Sequence, residues 1–268
     1  AVTINSTPPP YAGYLNNDIY LVPTDGSGSP RNLTPENKGD DSDARFAPDG
    51  RSLVFKRLDT PYYSGEFQKL WRHDLTSGRN TPLSEAHDFS IADTAFAADG
   101  ASFWVTAEDK GSVPVFKLGA DGKALTAVHR SGTASALDAR GGSVVFLHST
   151  AARPEELFAL DTTSGQARRL TRFNDDLMAQ LDLGRSEEYW FEGAGGARVH
   201  GWLYYPPGYD ASRKYPLLQL MHGGPHTMNR DAWSSRWNSQ VMAAPGYVVT
   251  WVNRHGSTGF GEKFSQSI

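Results

Sequence analysis

The sequence contains no cysteine. Disulfides, thiolate zinc sites, thiolate-ligated iron–sulfur clusters and cysteine nucleophiles are thereby excluded. The compartment stays open, because a cysteine-free chain tolerates reducing and oxidising surroundings alike. No uninterrupted apolar run approaches the ~20 residues of a membrane-spanning helix. No basic-then-apolar leader opens the sequence. It starts on Ala1 rather than Met, as a processed or trimmed end would. Positive charge is not in excess either. The net charge of −4 argues against a broad nucleic-acid or anionic-membrane surface.

What is present is 268 residues, 38% of them apolar and 12% aromatic, with 27 Gly and 16 Pro. That is globular composition at a length that can bury its own core. Gly and Pro in modest excess, among β-branched and aromatic residues, point to many turns between short strands.

A repeat organises the first two thirds. Four short apolar strands, Ile19–Val22, Lys69–Arg72, Val113–Phe116 and Glu156–Ala159, recur at intervals of 43–50 residues, the period of β-propeller blades. Each runs into a Gly-containing turn: Asp25-Gly26, Thr76-Ser77-Gly78, Asp121-Gly122 and Thr163-Ser164-Gly165. Three then carry a basic or polar residue before Leu, in Arg31-Asn32-Leu33-Thr34-Pro35, Thr81-Pro82-Leu83-Ser84 and Arg168-Arg169-Leu170-Thr171. Phe46-Ala47-Pro48-Asp49-Gly50 and Phe96-Ala97-Ala98-Asp99-Gly100 lead into strands Ser52–Lys56 and Ser102–Thr106, and Ala139–Gly142 leads into Ser143–Leu147. Asp-Gly supplies positive φ for a two-residue hairpin turn. A single four-stranded unit cannot bury both faces, so the units must stack, as in a propeller. A β-sandwich with regular turns is the plainer alternative. About four blades are expected, as a small closed propeller or as part of a larger one.

Near residue 185 the texture changes. Five of the seven Trp follow it: Trp190, Trp202, Trp233, Trp237 and Trp251. Val199–Tyr205 reads as a strand. Tyr215–Met221 and Tyr247–Val252 are nearly continuous apolar runs, which suit a parallel sheet buried on both faces. Trp233, Trp237 and Val241, spaced i, i+4, i+8, predict a helix over Asp231–Ala244. The expected organisation is all-β propeller blades over residues 1–185, then the beginning of an α/β domain over 186–268.

His222-Gly223-Gly224-Pro225 directly follows a predicted strand. Two glycines there leave backbone N–H groups open to an approaching oxygen, as acyl transfer requires where negative charge develops. A plain Gly-Gly turn is the structural alternative. Asn253–Gly261 follows the next strand with glycines at 256, 259 and 261. It lacks the dinucleotide spacing and the Lys-Ser/Thr of a phosphate loop. It suits a substrate-lining loop or a packed turn before a helix at 261–268.

These two loops resemble the early landmarks of the peptidase domain in the prolyl oligopeptidase family, most closely its acylaminoacyl-peptidase and dipeptidyl-peptidase V-like branch. The blade pattern of residues 19–182 is similar to that branch's propeller, and His255 matches its dipeptidyl-peptidase V-like members. The resemblance implies a propeller joined to an α/β-hydrolase, short peptide substrates, a Ser-His-Asp triad, and Gly223 and Gly224 as oxyanion-hole elements. It implies no metal or organic cofactor.

The nucleophile of such an enzyme sits on a Gly-x-Ser-x-Gly elbow. Ser52, Ser102, Ser143 and Ser186 have Gly two places before, but Val54, Trp104, Val145 and Glu188 two places after. Ser257 has Gly259 after it but His255 before. None of the triad is therefore expected among these residues. In the family the elbow lies downstream, so the chain is expected to be an internal fragment, inactive alone, whose partner is the remainder of the same polypeptide.

Other candidates are His222, Trp237, Asn238, His255 and Glu66 as substrate-lining residues. Each has a plainer role: core packing for Trp237, a solvated loop carboxylate for Glu66. A zinc site on His222 and His226 is disfavoured, because Gly223-Gly224-Pro225 forbids the helix that would align them. Asp40–Asp43 reads as a solvated acidic turn. Two rival functions stand: a non-catalytic propeller binding module with a degenerate hydrolase tail, and a lipase or esterase of the hydrolase fold.

Overall fold

The computed structural model describes residues 1–7, 16–61 and 63–268. Tyr62, in the predicted loop that carries Glu66, lies outside them. The described residues form antiparallel sheets in chain order. The first holds β1 (Val2–Asn5), β2 (Asn17–Leu21) and β3 (Arg31–Asn32). The second holds β4 (Asp41–Phe46), β5 (Ser52–Arg57), β6 (Lys69–Asp74) and β7 (Asn80–Pro82). The third holds β8 (Ile91–Phe96), β9 (Phe103–Ala107), β10 (Val115–Leu118) and β11 (Leu125–His129). The fourth holds β12 (Thr133–Arg140), β13 (Ser143–Thr150), β14 (Arg153–Asp161) and β15 (Ala167–Arg169).

The sheets are offset from the sequence repeat by two strands. Each takes the closing strands of one repeat and the opening strands of the next, so β3 and β4 are neighbours in sequence but belong to different sheets. The hydroxyl that follows Leu in all three stretches has a direct cause. In each copy the Leu N–H bonds back to a strand carbonyl, and the next hydroxyl accepts that same strand residue's N–H. Thr34 Oγ1 takes Ile19 N at 3.0 Å, Ser84 Oγ takes Leu70 N at 2.8 Å and Thr171 Oγ1 takes Leu157 N at 2.9 Å. The side chain thus extends the ladder past the point where the short third strand ends.

The Asp-Gly turns are longer than the two-residue hairpins the dipeptide predicts. Gly50 N bonds to Ala47 O at 2.9 Å and Gly100 N to Ala97 O at 2.9 Å, which puts glycine at the fourth turn position with φ of 69° and 67°. The Asp side chain accepts the N–H two residues on, at Arg51 and Ala101. The acidic stretch at 40–43 is not a solvated turn. Asp41 opens β4 fully buried, and Arg57 binds it through Nε at 2.8 Å and Nη2 at 3.1 Å.

Apolar clusters lie between successive sheets. Ile19 and Leu33 meet Leu53 and Phe55; Val54 and Leu70 meet Ile91, Phe103 and Val105; Ala95 and Trp104 meet Val144 and Phe146. Truncating a buried Phe such as Phe103 or Phe146 to Ala costs about 3–5 kcal/mol.

A short helix, α1 (Asp175–Met178), leads to a mixed sheet. It comprises β16 (Ser186–Glu192), β17 (Arg198–Tyr204), β18 (Leu217–Leu220) and β19 (Val248–Asn253), in the order β16-β17-β19-β18. β19 pairs antiparallel with β17 and parallel with β18. The predicted helix over Asp231–Ala244 shrinks to α2 (Ser239–Ala243), and the last helix is α3 (Glu262–Ser265). Asn238 stops α2 from extending backward: its side chain accepts Gln240 N and Val241 N as an N-cap. Tyr204, Val249, Trp251 and Ala243 pack together against Ala151 of the fourth sheet.

Candidate active site

β18 delivers the chain into His222-Gly223-Gly224-Pro225, with a cis bond between Gly224 and Pro225. Gly223 has open space where a Cβ would stand, with nothing within 4 Å. Gly224 has φ 131°, and a Cβ there would lie 3.0 Å from His226 N. Among the described residues, neither glycine's N–H donates to another backbone group. Two uncommitted donors therefore stand at the end of a strand.

The loop is held from the side. His222 Nδ1 faces the Gly223 carbonyl oxygen at 2.9 Å. A carbonyl only accepts, so Nδ1 carries the proton and Nε2 accepts from the Ser257 hydroxyl at 3.0 Å. Arg254 Nη2 donates to His222 O at 3.3 Å, and Thr258 N to Thr227 O at 3.3 Å. The Ser257–His222 pair has the polarity of a nucleophile and its base. Ser257 is 0% exposed, however, and a backbone carbonyl stands where a carboxylate would orient the imidazole. No acyl carbonyl can reach that hydroxyl, so the pair fastens one loop to the other.

The remaining sequence candidates fall in three places. His255 stacks on Phe264 at 4.8 Å, and its Nδ1 meets Ser267 Oγ at 2.8 Å, turned toward α3. Asn238 is occupied by its capping bonds, while Trp237 is 54% exposed beside it, outside the core. Glu66 accepts Thr60 N at 2.8 Å and lines a cavity of about 430 Å³. Glu108, Thr133, His226, Thr227, Arg230 and Thr258 line the same cavity, so it lies where the second, third and fourth sheets face the two glycine loops.

Several residues that build this boundary carried no signal in the sequence. Asp231 N donates to Gly111 O at 2.8 Å, its carbonyl accepts Thr133 Oγ1 at 2.9 Å, and its Oδ1 accepts Ala151 N at 2.7 Å. Burial raises its carboxyl above the ordinary Asp range. Asn253, at the end of β19, accepts Asn229 N at 2.7 Å and donates to Asn229 O at 2.8 Å and His200 Nδ1 at 2.9 Å. Burial lowers the His200 imidazole below its ordinary value, which suits a neutral acceptor. Only a three-dimensional pairing could have singled these residues out.

Residues 233–268 match the model of the prolyl oligopeptidase family. The chain is 32% identical over 274 residues to the probable dipeptidyl-peptidase 5 of Emericella nidulans, covering 97% of this chain and 38% of that protein. It is 26% identical over 259 residues to dipeptidyl-peptidase 5 of Porphyromonas gingivalis, covering 96% and 38%. The chain therefore spans little more than a third of these relatives. The fold is similar to that of acylaminoacyl peptidase from Pyrococcus horikoshii, with a TM-score of 0.78 at 22% identity over 98% of this chain and 39% of that one. A puromycin-hydrolysing peptidase of Mycobacterium tuberculosis gives a TM-score of 0.63 at 17% identity, over 93% and 48%.

Proposed function

The chain belongs to the prolyl oligopeptidase family, and from that premise we propose that it is part of a serine peptidase that hydrolyses short peptides, of the dipeptidyl- or acylaminoacyl-peptidase type. Residues 1–185 are propeller blades, about four of a larger ring. Residues 186–268 open the α/β-hydrolase domain, with β18 and β19 as its first parallel pair. Serine, aspartate and histidine of the triad come from a part of the polypeptide outside these residues, since no Gly-x-Ser-x-Gly elbow occurs within them.

The observation that carries this reading is the pair of uncommitted N–H groups at Gly223 and Gly224, with open space in front of Gly223. As a peptide carbonyl becomes tetrahedral its oxygen gains negative charge, and preorganised donors stabilise it by about 3–4 kcal/mol per donor. The other donor of such a hole is the N–H after the nucleophile. The cavity at the sheet boundary would receive the peptide and limit its size. A serine-reactive fluorophosphonate tests the assignment. The longer polypeptide is labelled at one serine outside residues 1–268, and residues 1–268 alone are not labelled. Stoichiometric labelling of Ser257 or any other serine in this chain would overturn it.

A further inference from the structure

Glu108 follows β9 in the third sheet, and its side chain is 19% exposed. One carboxylate oxygen, Oε2, accepts the Thr258 hydroxyl; the other, Oε1, accepts Arg230 Nη1 at 3.2 Å. Thr258 belongs to the loop after β19 and Arg230 to the loop after β18. The residues that follow Glu108 repeat the pattern. Lys110 N donates to Gly259 O at 2.9 Å, and Gly111 N lies 3.2 Å from Met228 Sδ. One short stretch of the third sheet thus grips both loops. Thr258 adjoins Ser257, whose hydroxyl holds His222, and His222 adjoins Gly223.

We infer that Glu108 is a positioning residue for the Gly223–Gly224 donors, acting through Thr258 and Arg230 across the boundary between the stacked sheets and the mixed sheet. This rests on the oxyanion reading given above. The chemistry selects a carboxylate. Two acceptor oxygens on one carbon bind a hydroxyl from one loop and a guanidinium from the other at a fixed separation, and the charge strengthens both bonds. Glutamine has the same shape but one acceptor. Its oxygen can still accept from Arg230 while its NH₂ donates to the Thr258 hydroxyl, so glutamine loses the charge but keeps both contacts, and only a side chain without these atoms, such as alanine, releases the loops.

The test uses the longer polypeptide that carries these residues, as Glu108→Ala, Thr258→Val and Thr258→Ser. A peptide chromogenic substrate gives kcat and KM, and hydrogen exchange is followed over 222–230, 254–261 and, as a distant control, 143–161. A clamp that places a transition-state donor lowers kcat about ten- to a hundred-fold in Glu108→Ala and Thr258→Val while KM stays within about two-fold. Thr258→Ser, which keeps the hydroxyl, restores most of the rate. Exchange quickens in the two loops and not at 143–161. Unchanged kcat, or exchange that quickens equally in the control, overturns the inference, because the residue would then be idle or only structural. If the polypeptide hydrolyses no peptide at all, the oxyanion reading fails and exchange alone decides the clamp. Quickening confined to the two loops supports it, and no change overturns it.

Discussion

Replacing each glycine of the loop by alanine separates architecture from chemistry. At Gly223 an added methyl meets nothing within 4 Å, so Gly223→Ala should fold as the parent sequence does. It can gain about 0.4–1 kcal/mol from a less flexible unfolded chain. The same methyl occupies the space through which a carbonyl oxygen must approach the N–H groups. Displacing that oxygen by roughly 1 Å costs on the order of 100-fold in rate. At Gly224 the order reverses. With φ at 131° and a Cβ 3.0 Å from His226 N and 3.2 Å from Thr227 Cγ2, alanine strains the backbone by about 1–3 kcal/mol. Urea melts and kcat/KM on a dipeptide p-nitroanilide, both with the longer polypeptide, read the two effects. Gly223→Ala should keep or slightly raise its midpoint and lose about two orders of magnitude in kcat/KM. Gly224→Ala should lose both. A stable Gly223→Ala protein with full activity would refute the oxyanion assignment.

Two further predictions concern acid. Burial, with the nearby His148 adding to it, lowers His129 from 6.5 to about 4. The folded state then binds fewer protons than the unfolded chain between those values, so stability falls as pH drops from about 6.5 to 4, by roughly 2–3 kcal/mol. His129→Leu should flatten that stretch of a stability-versus-pH curve, and an unchanged slope would dismiss the assignment. Burial pushes the Glu156 carboxyl up, but hydrogen bonds from Thr171 and Asn174 outweigh it and hold it at about 2 against 4.5. Its contribution, roughly 3 kcal/mol, is present above pH 4.5 and fades as pH falls toward 2. Glu156→Gln should remove that lower-pH loss, and its persistence in thermal melts at pH 2–5 would count against the hydrogen-bond account.

Much of the strand layout could be read from the sequence, for a local reason. Leu33-Thr34, Leu83-Ser84 and Leu170-Thr171 mark ladder extensions made by the hydroxyl itself, so motif and structure coincide. The grouping of strands into sheets could not be read. Whether β3 pairs onward with β4 or crosses to a new sheet depends on packing between Ile19, Leu33, Leu53 and Phe55, which no spacing encodes. The helix over 231–244 failed for a related reason. Trp237 and Val241 kept helical spacing but are 54% and 68% exposed, so the stripe has no core to face. The backbone at Asp231 is bonded to Gly111 and Thr133 instead. In the candidate site, the glycines and His222 stand out in the sequence because a strand running into His-Gly-Gly-Pro is a local signal. Glu108 and Arg230 do not, because their role exists only once two loops and a sheet meet.

That division bears on how a glycine loop can serve as a catalytic element. Glycine exposes its N–H but loses more conformational entropy on ordering than any other residue. An oxyanion donor works only if it is already in place when charge develops. The loop cannot supply both access and order from its own residues. On the proposed reading, access comes from Gly223 and Gly224, and order comes from neighbours: Ser257 and Arg254 on His222, Thr227 on Thr258, and Glu108 on Thr258 and Arg230. The Ser257–His222 pair, which in isolation resembles half a triad, has its place in this arrangement as a fastening. Its burial, which bars it from attacking a substrate, also shields its hydrogen bond from competition by water.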